Sequence, residues 1–218
     1  MQKVALIVAG GKGERMNTDI PKQFLLLNGT PILIHTLKQF SHFEEIVLVL
    51  PYSQFEYWRE LCSTYNFTQK HVLVAGGTSR FYSVKNGLEK IDENSVIAIH
   101  DGVRPLISTK LIDSLITKTK NGVGIIPIVP LKDSIRKVEG ENSTHLDRSN
   151  LYKVQTPQCF LSKDIKEAYT QEFSDTFTDD ASVFEAKGRG RITTLLGEEK
   201  NLKITTKEDL TIANEFMQ

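Results

Sequence analysis

Five short apolar runs rich in β-branched residues recur at residues 3–9, 45–50, 71–74, 96–100 and 123–129, and segments of helical periodicity separate them at 31–40, 53–65, 80–91 and 108–120. A strand that is apolar at nearly every position must be covered on both faces. The alternation therefore predicts an α/β fold, a Rossmann-like, doubly wound, mostly parallel sheet with helices on either side. Pro31 suits a first helical turn, Ser53 and Ser108 are candidate N-caps, and Asn121-Gly122 is a candidate C-cap. Residues 162–171, 179–187 and 207–217 read as closing helices. A chain of 218 residues is expected to form one domain spanning 1–218.

The pattern breaks at about residues 131–153 into a polar, charged stretch with short alternating arms around a turn near Gly140. This reads as an inserted β-arm protruding from the domain, or as a surface loop. Lys plus Arg equals Asp plus Glu at 27 each, so no global field favours nucleic acid or an anionic membrane, and positive charge must be local. No apolar run approaches the length of a membrane span and no signal-like segment opens the chain, so a cytoplasmic location is expected. Cys62 and Cys159 lack any metal or redox spacing and read as ordinary reduced thiols.

Open α/β sheets bind ligands beyond the C-terminal ends of their strands. Directly after the first run comes Val8-Ala9-Gly10-Gly11-Lys12-Gly13-Glu14-Arg15-Met16, and soon after it Pro21-Lys22-Gln23-Phe24. Glycines bring bare N–H groups against phosphate oxygens, and Lys12, Arg15 and Lys22 can neutralise them, so the segment suits a polyphosphate. The spacing is not that of a P-loop. Met16 occupies the third small position of a dinucleotide fingerprint, which argues against a nicotinamide-dependent oxidoreductase. By itself the segment could also be an ordinary βα turn with solvated charges.

The wording A-G-G-x-G-x-R-M followed by P-K-Q-F resembles nucleotidyltransferases that join a nucleoside triphosphate to a sugar or polyol phosphate. Further along stand Gly76-Gly77-Thr78-Ser79-Arg80 with Ser83, His100-Asp101-Gly102-Val103-Arg104-Pro105, Asp147-Arg148, Gln155-Thr156-Pro157-Gln158, Thr178-Asp179-Asp180-Ala181-Ser182 and Asn201-Leu202-Lys203-Ile204-Thr205. In this order they resemble the 2-C-methyl-D-erythritol 4-phosphate cytidylyltransferase family of the non-mevalonate isoprenoid pathway, over nearly the whole chain. The resemblance implies transfer of CMP from CTP to a polyol phosphate by in-line displacement at the α-phosphorus, with Mg²⁺ held by the triphosphate rather than by a protein cage.

It further implies Arg15, Lys22 and Lys203 as catalytic cations. Ala9, Gly10, Gly11, Lys12, Gly13, Gly77, Ser83 and Asp101 would bind the nucleotide, and Asp101, Ser134, Arg148, Thr156 and Lys203 the acceptor. Arg104 would hold the Asp101 loop. The arm would embrace the second subunit of a homodimer and deliver Arg148 to its site. Two departures stand out: Thr78 where the family more often has an acidic residue, and Ser134 where it usually has Thr. Ser83 also reads as a helix-start residue, and Thr178 as an N-cap or a prop for Lys203. His100 is not expected to act with Asp101, because neighbours in a strand face opposite ways. A ribitol 5-phosphate cytidylyltransferase shares much of the loop wording, although the 147–152 and 178–182 segments fit the erythritol enzyme better. A nucleotide-sensing protein on the same fold is the alternative outside catalysis.

Overall fold

The computed structural model of the chain describes residues 1–11, 20–188 and 190–217. In chain order the elements are β1 (Gln2–Val8), a 3-10 turn (Lys22–Phe24), β2 (Leu26–Leu27), β3 (Thr30–Pro31), α1 (Ile32–Gln39), β4 (Glu45–Leu50), a second 3-10 turn (Tyr52–Gln54), α2 (Phe55–Thr64) and β5 (Val72–Ala75). Then follow α3 (Arg80–Leu88), β6 (Ser95–Asp101), α4 (Thr109–Lys118), β7 (Val123–Pro130), the hairpin β8 (Ile135–Glu139) and β9 (Asn142–Leu146), and β10 (Tyr152–Val154). The chain closes with β11 (Gln158–Leu161), α5 (Ser162–Ala168), α6 (Asp180–Ala186), β12 (Arg191–Leu196) and α7 (Lys207–Glu215).

The main sheet runs β10-β7-β11-β6-β1-β4-β5, with β12 added to β7. β1 pairs in parallel with β4 and β6, β4 with β5, and β7 with β12. β11 is antiparallel to both β6 and β7, so these two run the same way with a reversed strand between them. β10 is likewise antiparallel to β7. The α/β expectation therefore holds, and three strands are added to the five read from sequence.

Period-two alternation explains the apolar runs. Along β1 and its end, Ala5, Ile7 and Ala9 enter one core with Leu33 and Leu37 of α1, Trp58 of α2 and Leu115 of α4. Val4, Leu6 and Val8 enter the other with Phe81 and Val84 of α3, Tyr169 and Phe184. Each buried Val, Leu or Ile side chain among these contributes about 1.5–3 kcal/mol, which makes β1 the spine of both layers. Gly87 permits the close seat of α3, since a Cβ there would stand 2.4 Å from Leu6 Cδ1 and 3.0 Å from Val49 Cγ2.

Several boundaries shift for local reasons. Ser108 caps α4 by accepting from Leu111 N, whereas Ser53 lies inside the second 3-10 turn and caps nothing. Gly122 is not the α4 C-cap: the helix ends at Lys118, and Gly122, at φ 67°, turns the chain into β7 while its N–H donates to Asp164. The α6 cap is Asp179 rather than Thr178, in a reciprocal capping box with Ser182. β8 and β9 form their own two-stranded sheet, nearly all of it exposed, within the expected arm.

Candidate active site

The C-terminal ends of β1, β4, β5 and β6 open onto a cavity of about 940 Å³, lined among others by Ala9, Gly10, Gly11, Lys22, Gly77, Ser83, Asp101 and Lys203. A second cavity of about 250 Å³ adjoins it, lined by Val154, Gln155, Thr156, Gln158, Thr178 and Asp179. Arg80, Asp101 and Lys203 border both. Lys12, Gly13 and Arg15 lie outside the described residues. Ser134 and Arg148 are exposed and line neither cavity; Arg148 donates to the Lys132 carbonyl near the base of the arm.

Backbone hydrogen bonds at the strand ends hold the loops that border the larger cavity. Ala9 N donates to Val49 O at 2.9 Å, Gly76 N to Leu50 O at 2.8 Å and Gly102 N to Val8 O at 2.9 Å. Ser83 Oγ accepts from Gly77 N at 3.1 Å and donates to Ser79 O at 2.9 Å, while Ser79 caps α3. Ser83 is thus a buried tie for the Gly76-Gly77 loop and not the helix cap. Lys22 follows Pro21 on the first 3-10 turn, whose Phe24 stacks on buried Trp58 with centroids 6.2 Å apart. A Cβ at Gly11 would stand 3.7 Å from Lys22 Cε, an ordinary contact distance, so the lysine stem runs directly beside the loop. Gln23 is buried and donates to Gln54 Oε1 at 2.6 Å, joining this turn to the start of α2.

Asp101 is the electrostatic centre. Its Oδ1 faces Arg80 Nε at 3.6 Å, and its Oδ2 faces Arg104 Nε at 3.2 Å and Lys203 Nζ at 3.1 Å. Burial by itself would raise the carboxyl, but Arg80, Lys203 and Arg104 outweigh it and hold the group far below the usual carboxylate range. Arg104 also donates to Asn201 O at 2.8 Å, and Asn201 Nδ2 to Thr156 O at 2.8 Å, which fixes the segment that carries Lys203.

Behind Asp101, His100 turns into the core beside Phe40. Its Nε2 lies 3.0 Å from the Arg104 carbonyl, which can only accept, so Nε2 carries the proton and Nδ1 accepts from Thr156 Oγ1 at 3.0 Å. Thr156 Oγ1 in turn accepts from Asp101 N at 3.1 Å. Burial pushes His100 down to about 4, so it stays neutral and supports the site from behind. Burial raises both cysteine thiols, Cys62 to about 11, leaving them protonated at neutral pH.

One charged residue at the junction had no assigned role in the sequence reading. Arg80 closes the Gly-rich motif of the second loop, and a bidentate pair fixes it to Asp180 at 2.8 and 2.7 Å. The motif displayed the arginine, but nothing in the local sequence pointed to a partner on α6.

Comparison with known proteins bears on this geometry directly. The family model described as IspD, 2-C-methyl-D-erythritol 4-phosphate cytidylyltransferase, matches residues 3–218. A protein of that name from Azobacteroides pseudotrichonymphae is 47% identical over 215 residues, covering 97% of each chain. One from Porphyromonas gingivalis is 45% identical over 213 residues, covering 97% of this chain and 96% of its own. Among solved structures, 4-diphosphocytidyl-2C-methyl-D-erythritol synthase from Anaerococcus prevotii superposes with a TM-score of 0.82 at 30% identity, covering 100% of this chain and 96% of its own. The Francisella tularensis cytidylyltransferase gives 0.81 at 32% identity, with 99% of both chains covered. A match that begins in β1 and runs to the last residue takes in every loop that borders the two cavities, and the chain belongs to the 2-C-methyl-D-erythritol 4-phosphate cytidylyltransferase family.

Proposed function

We propose that the chain transfers CMP from CTP to 2-C-methyl-D-erythritol 4-phosphate and releases pyrophosphate. The observation that carries this reading is the meeting of a nucleotide-sized cavity and a smaller polar one at Asp101, Arg80 and Lys203. An oxygen of the acceptor's phosphate attacks the α-phosphorus of CTP, and the bond to the bridging oxygen of the departing pyrophosphate breaks. A phosphate monoester is already ionised, so the step needs charge stabilisation and alignment more than a base. Neutral, inward-facing His100 fits that requirement.

Within this reading Lys22 and Arg15 stabilise charge growing on the α-phosphoryl and leaving groups, while Lys12 and the N–H groups of Gly10, Gly11 and Gly13 hold the β- and γ-phosphates. Ala9 and Gly77 have committed their N–H groups to Val49 O and Ser83 Oγ, so they offer a base their carbonyls. Carbonyls accept from the exocyclic amine of cytosine and oppose the O4 of uracil, which favours CTP over UTP. Asp101, an acceptor-only carboxylate, takes sugar and polyol hydroxyls, and Thr156 and Lys203 complete the acceptor side. Ser134 and Arg148 on the exposed arm would serve the site of a second subunit in a homodimer.

Among the described residues no group of three or more His, Cys, Asp or Glu could hold a metal, and the carboxylate common to both cavities is ringed by cations. This donor set fits Mg²⁺ carried on triphosphate oxygens, with Asp101 the carboxylate that, among the described residues, lines both cavities. Bound there, the ion would neutralise phosphoryl charge during transfer. No helix among the described residues is long and apolar enough to cross a membrane, in keeping with dissolved substrates.

The test is a coupled pyrophosphate-release assay with CTP, UTP or ATP against methylerythritol phosphate and ribitol 5-phosphate, with and without Mg²⁺. Release is expected only with CTP, Mg²⁺ and methylerythritol phosphate together. Faster turnover with ribitol 5-phosphate would overturn the acceptor, and nucleotide binding without release in any combination would favour a sensing protein.

A further inference from the structure

We propose that Arg80 is a positioning residue that fixes the Asp101 carboxylate between the two substrates, and that Asp180 and Tyr169, which pack beside α3 on the same face of the sheet, hold Arg80 in place. This rests on the function proposed above.

The guanidinium spends its two terminal nitrogens on Asp180, with Nη1 on Oδ1 at 2.8 Å and Nη2 on Oδ2 at 2.7 Å, which leaves Nε turned toward Asp101 Oδ1 at 3.6 Å. Asp180 is fully buried, and Tyr169 of the adjoining buried layer donates its hydroxyl to Oδ1 at 2.6 Å. The start of α6 cannot drift, because Gln158 Oε1 of β11 accepts from Ala181 N and Gln158 Nε2 donates to Asp179 Oδ2, both at 2.8 Å. Phe81, next to Arg80, stacks on the Tyr169 ring at 4.8 Å, so the first turn of α3 is held to the same layer through ring and charge together.

The fork fixes the plane of the guanidinium, and that plane sets where Nε stands. Asp101 needs this constraint at one oxygen in particular. Among the described residues, Arg104 and Lys203 both sit at Oδ2 and Arg80 is the cation at Oδ1. Without it, rotation of the carboxylate about its Cβ–Cγ bond would be governed from one side only. The hydroxyls that Asp101 should accept would then meet a poorly aimed oxygen, and a reaction that depends on alignment loses rate steeply with such errors. Asp180 also balances the charge of Arg80, so the guanidinium acts on Asp101 without adding a free cation for phosphate to seek.

A double-mutant cycle tests this assignment, after wild-type pyrophosphate release has been established. Arg80→Met, Asp101→Asn and the double variant are compared in kcat/KM for the acceptor, with thermal midpoints measured alongside. Arg80→Met is expected to lower kcat/KM about tenfold or more in the wild-type background and about twofold or less once Asp101 is Asn, because a residue acting through another has nothing left to position. Arg80→Lys, which keeps the charge but cannot form the fork, should recover only part of the loss. If the Met variant does not fold, the same cycle is run with Lys. Additive losses would mean that Arg80 binds a phosphate directly, and a change in thermal midpoint with unaltered kinetics would mean a structural ion pair; either overturns the inference. A wild-type chain that releases no pyrophosphate refutes the function instead, and the cycle is then read on CTP affinity, where additivity again counts against Arg80.

Discussion

Lys203 Nζ lies 3.1 Å from Asp101 Oδ2, joining the end of β6 to the segment that follows β12. The lysine side chain remains 40% exposed while the carboxylate is 9% exposed, so a buried anion meets a cation that a substrate can still reach. The pair lies where the two cavities meet, so a charge change there is expected to alter turnover more than folding.

Replacing Lys22 or Lys203 by Ala is expected to lower kcat by about 10²-fold or more, comparable to removing one transition-state donor. Steady-state kinetics in CTP and acceptor decide this. A variant that altered only the KM for CTP would mark its lysine as a ground-state binder.

If the arm serves a second subunit, an inactive Lys22→Ala chain mixed with an inactive Arg148→Ala chain should regain activity. A heterodimer then holds one site with both changes and one with neither, so statistical mixing caps recovery at about a quarter of wild-type sites. Exchanged dimers as inactive as their parents would place Arg148 in the site of its own chain.

Gly77→Ala should weaken CTP binding and stability together. A Cβ at this position would stand 2.3 Å from Tyr82 Cβ and 3.0 Å from the Tyr82 carbonyl carbon, so the loop or the first turn of α3 must shift. Overpacking of this kind costs about 1–3 kcal/mol, readable in denaturant midpoints. An unchanged KM for CTP would separate the loop from the nucleotide.

Acid should destabilise the fold before its carboxylates protonate. His100 is held down to about 4 by burial, against 6.5 for the ordinary side chain. Below 6.5 the unfolded chain takes up a proton that the folded chain refuses, so stability falls as pH drops from 6.5 to about 4 and this contribution levels off below. The full difference is about 3 kcal/mol. Half-buried His35 and His71, also lowered mainly by burial, act in the same direction. Denaturant melts of wild type and His100→Asn across this range should show a shallower slope in the variant, and parallel curves would refute the assignment.

The sheet's core was legible because β1, β4, β6 and β7 are apolar runs with little choice but burial on two faces. The Gly-rich loops and Asp101 were legible because they follow those runs directly. β10, β11 and β12 were not. Gln158–Leu161 is four residues long, and Arg191–Leu196 alternates with exposed Thr193 and Thr194, so neither carries a strong periodic signal. The Arg80–Asp180 fork was invisible for a different reason: it joins two helices far apart in sequence, and only the packing of α3 against the α5–α6 layer brings them together. Asp179 displaced Thr178 as the α6 cap because Ser182 stands three residues later to complete the reciprocal pair.

The parallel addition of β12 to β7 has a consequence for the growing polypeptide. Asp101 emerges from the ribosome well ahead of Asp180, and Lys203 follows only after β12 has been made. Until that last strand docks, the carboxylate lacks one of its compensating cations, and the segment that walls the small cavity has no edge to carry it. The pocket around Asp101 therefore stays incomplete until β12 and Lys203 are in place, and a nascent chain halted before β12 would expose β7 as an unclaimed sheet edge open to association with other chains.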